Sequence, residues 1–153
     1  MAGLSVGDRA PEFSLPDDTG RHVSLSELRA RGPVVVYFYP QDDTPGCTVE
    51  ACTFRDSYQD FSEAGAQVVG ISADAAGSHR AFRDKHGLPF LLLTDGDRSV
   101  AAAYGVKKTL GLLPGRATFV IDKEGVVRSA FSSQLRVRHH VEQALDVVRG
   151  LTR

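Results

Sequence analysis

Residues 34–39 read Val-Val-Val-Tyr-Phe-Tyr, an unbroken β-branched and aromatic run, and no other stretch of the chain narrows its fold as much. A strand with one wet face alternates apolar and polar side chains. This run does not alternate, so protein must cover both of its faces. Pro33 precedes it, and a loop bounded by Pro40 and Pro45 follows. The expectation is a central strand in a sheet with other elements packed on each side.

The flanking segments extend that picture. Turn formers at Gly7-Asp8, Pro16-Asp17-Asp18 and Thr19-Gly20 separate short apolar patches at 13–15 and 22–25. This predicts an N-terminal β-hairpin, then a helical turn opening at Ser26. After the loop, Ala51, Phe54, Tyr58 and Phe61 recur at spacings of three and four, with Gly65 as a stop. One helix of about four turns fits. Further on come a strand at 67–72, a helix at 78–86 closed by Gly87, an apolar run at 90–93, and a short helix at 99–104 stopped by Gly105. Segments 117–121 and 126–131 flank Asp122-Lys123-Glu124-Gly125 and read as a second hairpin. Residues 138–151 form a last helix with Val141, Leu145 and Val148 on one face. Strand–helix alternation followed by a hairpin and a helix implies an α/β fold of thioredoxin-like type, a mixed central sheet flanked by helices. With 153 residues and no repeat or linker, a single domain spanning 1–153 is expected.

Composition removes several function classes. Lys plus Arg number 18 against 19 acidic residues, a net charge of -1, so no broad basic surface is expected to meet nucleic acid. No apolar stretch approaches the roughly 20 residues of a membrane-spanning helix. The first residues lack a basic start and an apolar run, so no leader is expected and the cytoplasm is the expected compartment. Two cysteines are too few for a secreted disulfide scaffold and would not stay bridged in a reducing compartment. Their use is expected to be chemical.

Both cysteines lie in the segment that joins the central strand to its following helix, Tyr-Pro-Gln-Asp-Asp-Thr-Pro-Gly-Cys-Thr-Val-Glu-Ala-Cys-Thr-Phe-Arg-Asp at residues 39–56. Loops at strand ends are where α/β sheets carry their chemistry. Thr44 suits a helix N-cap and Pro45 the first helical position, so Cys47 falls third, where a cap oxygen commonly meets a backbone N–H. Unfilled N–H groups and the helix dipole favour an anion there, and a thiolate is the reactive form of cysteine. Ionisation alone raises the reactive fraction only on the order of 30-fold over an ordinary thiol near neutral pH. Donors acting on the substrate are therefore needed as well, a task suited to backbone N–H groups, a hydroxyl and a guanidinium.

The segment resembles the peroxiredoxins, whose signature Pro-x-x-x-Thr/Ser-x-x-Cys is met by Pro40, Thr44 and Cys47. The longer string at 39–56 is similar to the peroxiredoxin Q, or bacterioferritin comigratory protein, subgroup. Gly7-Asp8-x-Ala10-Pro11-x-Phe13-x-Leu15-Pro16 and Arg116-Ala117-Thr118-Phe119-Val120-Ile121-Asp122 extend the likeness over most of the chain. Residues 110–115, the approach to Arg116, look less typical of the subgroup. The resemblance implies a thiol peroxidase acting on hydrogen peroxide and organic hydroperoxides. It implies that Cys47 is the peroxidatic cysteine and Cys52 the resolving one, closing an intramolecular disulfide that thioredoxin or a similar dithiol protein reduces. It further implies that Thr44 hydrogen-bonds peroxide and thiolate, Pro40 shields the pocket, Arg116 orients thiolate and substrate, and Glu50 helps place the arginine. The subgroup is often monomeric, and it needs no cofactor or metal.

Plainer readings stand beside these. A buried helical cysteine can be simple apolar filler, Thr44 only a cap, and Pro40 only a strand terminator. Asp42, Asp43 and Asp56 read as solvent-facing or turn residues that form no metal site. His139-His140 reads as a surface pair, since adjacent helical residues point apart. A thioredoxin-like disulfide reductase would normally use Cys-x-x-Cys, whereas four residues separate Cys47 from Cys52. A redox sensor or holdase-like binding module using the same cysteine is the non-catalytic alternative.

Overall fold

The computed structural model describes residues 4–106 and 115–151. Strands β1 (Ser14–Pro16) and β2 (His22–Ser24) pair antiparallel as the expected N-terminal hairpin. A capping box at Ser24 and Glu27 opens the short helix α1 (Leu25–Arg29), one residue earlier than Ser26. There follow β3 (Val34–Phe38), α2 (Pro45–Asp56), α3 (Tyr58–Glu63), β4 (Gln67–Ser72), α4 (Ala76–His86), β5 (Leu91–Thr94), α5 (Ser99–Ala103), β6 (Ala117–Ile121), β7 (Val127–Ser132) and α6 (Val137–Leu151). The large sheet has the order β5-β4-β3-β6-β7, parallel at β3–β4 and β4–β5 and antiparallel at β3–β6 and β6–β7. It is the mixed α/β sheet that the alternation of elements predicted.

All five residues of β3 are buried, as its composition required of a middle strand. The pleat sends Val35, Tyr37 and then Tyr39 into one core, shared with Phe54, Phe61, Phe82, Val141 and Val148 from the helices. Val34, Val36 and Phe38 enter the opposite core with Phe13, Tyr104, Phe119 and Val127. The stack of Tyr37 on Phe54, centroids 4.5 Å apart, fixes α2 against the sheet. It needs Gly70 on β4, where a Cβ would stand 2.8 Å from the Tyr37 ring.

The helix expected across Ala51, Phe54, Tyr58 and Phe61 is broken in two. Ser57, at φ -99° and ψ 3°, leaves helical geometry between α2 and α3, while Phe54 and Phe61 still pack with centroids 5.8 Å apart. Serine competes for local backbone hydrogen bonds and is a natural place for such a break. Gly87 ends α4 in the left-handed conformation at φ 60°. Of the approach at 110–115, residues 110–114 lie outside the described residues.

Candidate active site

The site forms where β3 runs out and α2 begins. Thr44 is the N-cap of α2 and Pro45 its first residue, which places Cys47 in the first turn with 1% of its surface exposed. The Thr44 side chain does not cap the helix. Its hydroxyl donates instead to the Gln41 carbonyl at 2.9 Å. The expected contact between a cap oxygen and a backbone N–H is therefore absent, and the first intrahelical bond runs from the Thr48 N–H to the Thr44 carbonyl at 2.8 Å. The end of the helix dipole nearest Cys47 is left open to an anion.

Arg116 arrives from the neighbouring strand. The β3–β6 register sets Phe38 opposite Ala117, so the residue before β6 emerges beside the end of β3. Its Nη2–H donates to Cys47 Sγ at 3.3 Å, and its Nη1–H donates to Glu50 Oε1 at 2.6 Å. Glu50 is fully buried and Arg116 is 5% exposed. Burial pushes the Glu50 carboxyl up to about 8, against the opposing pull of Arg116. Burial also works against the guanidinium charge, but Glu50 and Cys47 more than offset it and hold Arg116 further into its charged form. Gly46 makes the approach possible, since a Cβ there would stand 3.1 Å from Arg116 Nη2.

Pro40, Thr44, Gly46 and Arg116 line one open cleft together with Asp74 and Arg98. Four of the five sequence-predicted site residues, Pro40, Thr44, Cys47 and Arg116, thus converge. Cys52 does not join them. It lies in a separate hollow with Thr48, Val49, Thr53 and Arg138, and both cysteines are free thiols. In continuous α helix five residues advance about 7.5 Å and turn about 140°, separating the two Cα atoms by roughly 8 to 9 Å. That exceeds the ~7 Å reach of a disulfide.

Two expectations about polar residues fail. Asp42 is buried: Oδ1 accepts from the Tyr39 hydroxyl at 2.6 Å, while Oδ2 accepts from Ser78 at 2.8 Å and lies 2.8 Å from His79 Nδ1. With the Asp42 N–H donating to Asp74 at 2.8 Å, this ties the loop carrying Pro40 and Thr44 to β4 and α4. Asp42, Asp74 and His79 cluster closely enough to suggest metal ligands, but their polar atoms are bound to one another and to Ser72 and Ser78. Asp43 and Asp56 keep their exposed side chains. His139 is partly exposed, whereas His140 is fully buried against Thr118, Ser133 and Phe131. Its separation of four from Ala144, on the buried stripe of α6, was the available signal.

The AhpC/TSA family matches residues 6–130. A chloroplastic peroxiredoxin Q of Oryza sativa subsp. japonica is 50% identical over 149 residues, 97% of this chain and 68% of that one. The crystal structure of peroxidoxin BcpB from Mycobacterium tuberculosis superposes with a TM-score of 0.90 at 41% identity, covering 97% of this chain and 98% of the other. The bacterioferritin comigratory protein of Xanthomonas campestris, solved in work on its alkyl peroxide reduction activity, superposes at 0.85 with 30% identity over 100% of both chains.

Proposed function

Because the chain belongs to the AhpC/TSA family and is a thiol peroxidase of the peroxiredoxin Q type, we propose that Cys47 is its attacking thiolate and Cys52 the thiol that resolves the product. The observation that carries this reading is the 3.3 Å contact of Arg116 Nη2 with Cys47 Sγ at the uncapped start of α2. The Cys47 thiolate attacks the peroxide oxygen, forming the S–O bond as O–O breaks, and the departing oxygen takes up a proton to leave as water or alcohol. Sulfur is oxidised to sulfenic acid and the peroxide is reduced. Arg116, the N–H groups at the start of α2 and the Thr44 hydroxyl, once it turns from the Gln41 carbonyl, answer the negative charge that moves to the leaving oxygen in the cleft.

The Cys52 thiolate then attacks the sulfenic sulfur, S–S forms, S–O breaks, and hydroxide leaves as water after protonation. An intact α2 keeps the thiols apart, so its first turns must open for this step. A dithiol protein of thioredoxin type reduces the disulfide by exchange. The alkyl peroxide activity of the Xanthomonas relative supports organic hydroperoxides as substrates beside hydrogen peroxide. Monomeric action follows the habit of the subgroup and action in the cytoplasm is consistent with only two cysteines, which sedimentation and fractionation would check.

Stopped-flow oxidation of the reduced protein tests the assignment. Cys47→Ser should abolish turnover while leaving the fold intact, and Arg116→Ala should lower the second-order rate about 100-fold or more. Near-normal turnover in Cys47→Ser would sink the central assignment.

A further inference from the structure

Beyond Arg116, and outside the lining of the cleft, Glu50 meets His140. Glu50 Oε1 is taken by Arg116, but Oε2 is buried and finds no hydrogen-bond partner among the described residues. His140 Nδ1 stands 3.6 Å from that orphaned oxygen, and both side chains are fully buried. The imidazole is held at its far edge, where Nε2–H donates to the Ser133 carbonyl at 2.8 Å. A carbonyl only accepts, so Nε2 carries the ring proton and Nδ1 of the neutral ring presents a lone pair. The Thr118 hydroxyl, 2.8 Å from Nδ1, can rotate to give or take a proton as the ring requires.

The Nδ1 lone pair accepts from the Thr118 hydroxyl, whereas a carboxylate Oε2 buried beside it is an acceptor with no donor among the described residues, so the arrangement lacks one proton at that oxygen. We propose that Glu50 holds a proton on Oε2 beside the neutral His140 ring, and that this dyad sets how much of the Arg116 charge is left to the Cys47 thiolate. His140 is then a positioning residue for the peroxide reaction, acting through Glu50 and Arg116. The inference rests on Cys47 being the attacking thiolate.

The charge count gives the reason. Arg116 brings one positive charge, and Glu50 and Cys47 both claim it. With the dyad proton in place the Arg116, thiolate, Glu50 and His140 cluster is neutral, and the guanidinium answers the thiolate alone. Without it the buried cluster holds a net negative charge and the two anions compete. The groups facing Glu50 are Arg116 ahead of β6, Cys47 on its own helix, His140 from α6 and Tyr37 from β3. Those facing His140 are Glu50, Arg116 and His139. Tyr37 stays neutral, pushed far up by burial and by its anionic neighbours, and so contributes no charge to the cluster. Burial raises Glu50 to about 8 and lowers His140 to about 4, which puts the proton on the carboxyl side near neutrality.

The test titrates the reduced protein without peroxide. Infrared difference spectra should show a buried carboxylic-acid carbonyl band that vanishes on alkalinisation and is absent in Glu50→Gln. The His140 Nδ1 resonance, followed by nitrogen NMR, should shift with the same midpoint in the wild type and stay still in Glu50→Gln. In stopped-flow oxidation the wild-type rate should carry an alkaline limb at that midpoint, falling by about tenfold per pH unit. The limb should be lost in Glu50→Gln and displaced in His140→Asn. A Glu50 ionised throughout, or one that titrates without moving His140 Nδ1, overturns the proposal, as does an alkaline limb unchanged in Glu50→Gln. Failure of the Cys47 assignment would instead appear as oxidation surviving in Cys47→Ser, with the acid band untouched.

Discussion

Gly46 and Arg116 touch because position 46 has no side chain: a Cβ there would stand 3.1 Å from Nη2, the nitrogen that reaches Cys47. The guanidinium is pinned at its other nitrogen by Glu50 and has little room to retreat. Gly46→Ala should therefore disturb the Cys47 contact without unfolding α2, since alanine is the better helix former. A misplaced charge-stabilising group should lower the second-order oxidation rate about tenfold or more. An unchanged stopped-flow rate would mean that Arg116 shifts without cost.

The loop that carries Pro40 and Thr44 depends on Asp42. Asp42→Ala removes the partner of Tyr39, Ser78 and His79 at once. Taking the carboxylate from buried Tyr39 and His79, which keep only their 3.4 Å contact with each other and the bond of His79 to the Leu93 carbonyl, should cost about 2 to 4 kcal/mol. Denaturant unfolding of the reduced protein checks the stability, and the oxidation rate, expected to fall as the loop loosens, checks the consequence for the site.

Glu50 and His140 pull the pH dependence of stability in opposite directions. His140 is held down to about 4 from 6.5, chiefly by burial, so the unfolded chain binds its proton first and stability is lost as pH falls from 6.5 through 4. Glu50 is raised from 4.5 to about 8, so its contribution is full below 4.5 and is lost as pH rises through 8. Each effect is of order 3 kcal/mol or more. The two slopes oppose each other between 4.5 and 6.5, and Glu50 alone acts above. In Glu50→Gln the alkaline decline should flatten while the acid decline remains, as urea titrations at stepped pH would show.

Cys52→Ser should react once with peroxide and accumulate a Cys47 sulfenic acid open to further oxidation. Mass spectrometry after one equivalent of peroxide checks this, and the wild type should show the intramolecular bridge instead. In the bridged form, amide exchange across residues 46–54 should quicken relative to the reduced form. Equal protection would mean that the bridge forms without opening α2 or does not form.

Much of the fold was legible because its strands announce themselves by composition. The run at 34–39 predicted a central, doubly covered strand, and β4 lies where residues 67–72 were expected. The break at Ser57 was not legible, since apolar spacing continues across it and only local geometry separates α2 from α3. For the site, the signature and the resemblance named the residues in the cleft and Glu50, the partner of Arg116, but not Asp42 or His140. Asp42 looked like a turn residue because its partners His79 and Ser78 are remote in sequence. His140 was hidden by its neighbour His139, although helical spacing to Ala144 separates the two.

Under the proposed two-cysteine cycle, placing both thiols on α2 gives the protein a clock. While the helix stays wound, a newly formed sulfenic acid lies in the cleft where a second peroxide can arrive. Once it unwinds, that cleft is dismantled and the sulfur is beyond reach. One first-order and one second-order event race from the same species, so the helix opening rate constant divided by the rate constant for a second oxidation is a concentration of peroxide. Below it nearly every cycle ends in the recoverable bridge; above it the enzyme is progressively spent. Substitutions that stiffen the first turns of α2 should lower that threshold, and those that loosen them should raise it at the expense of the first attack.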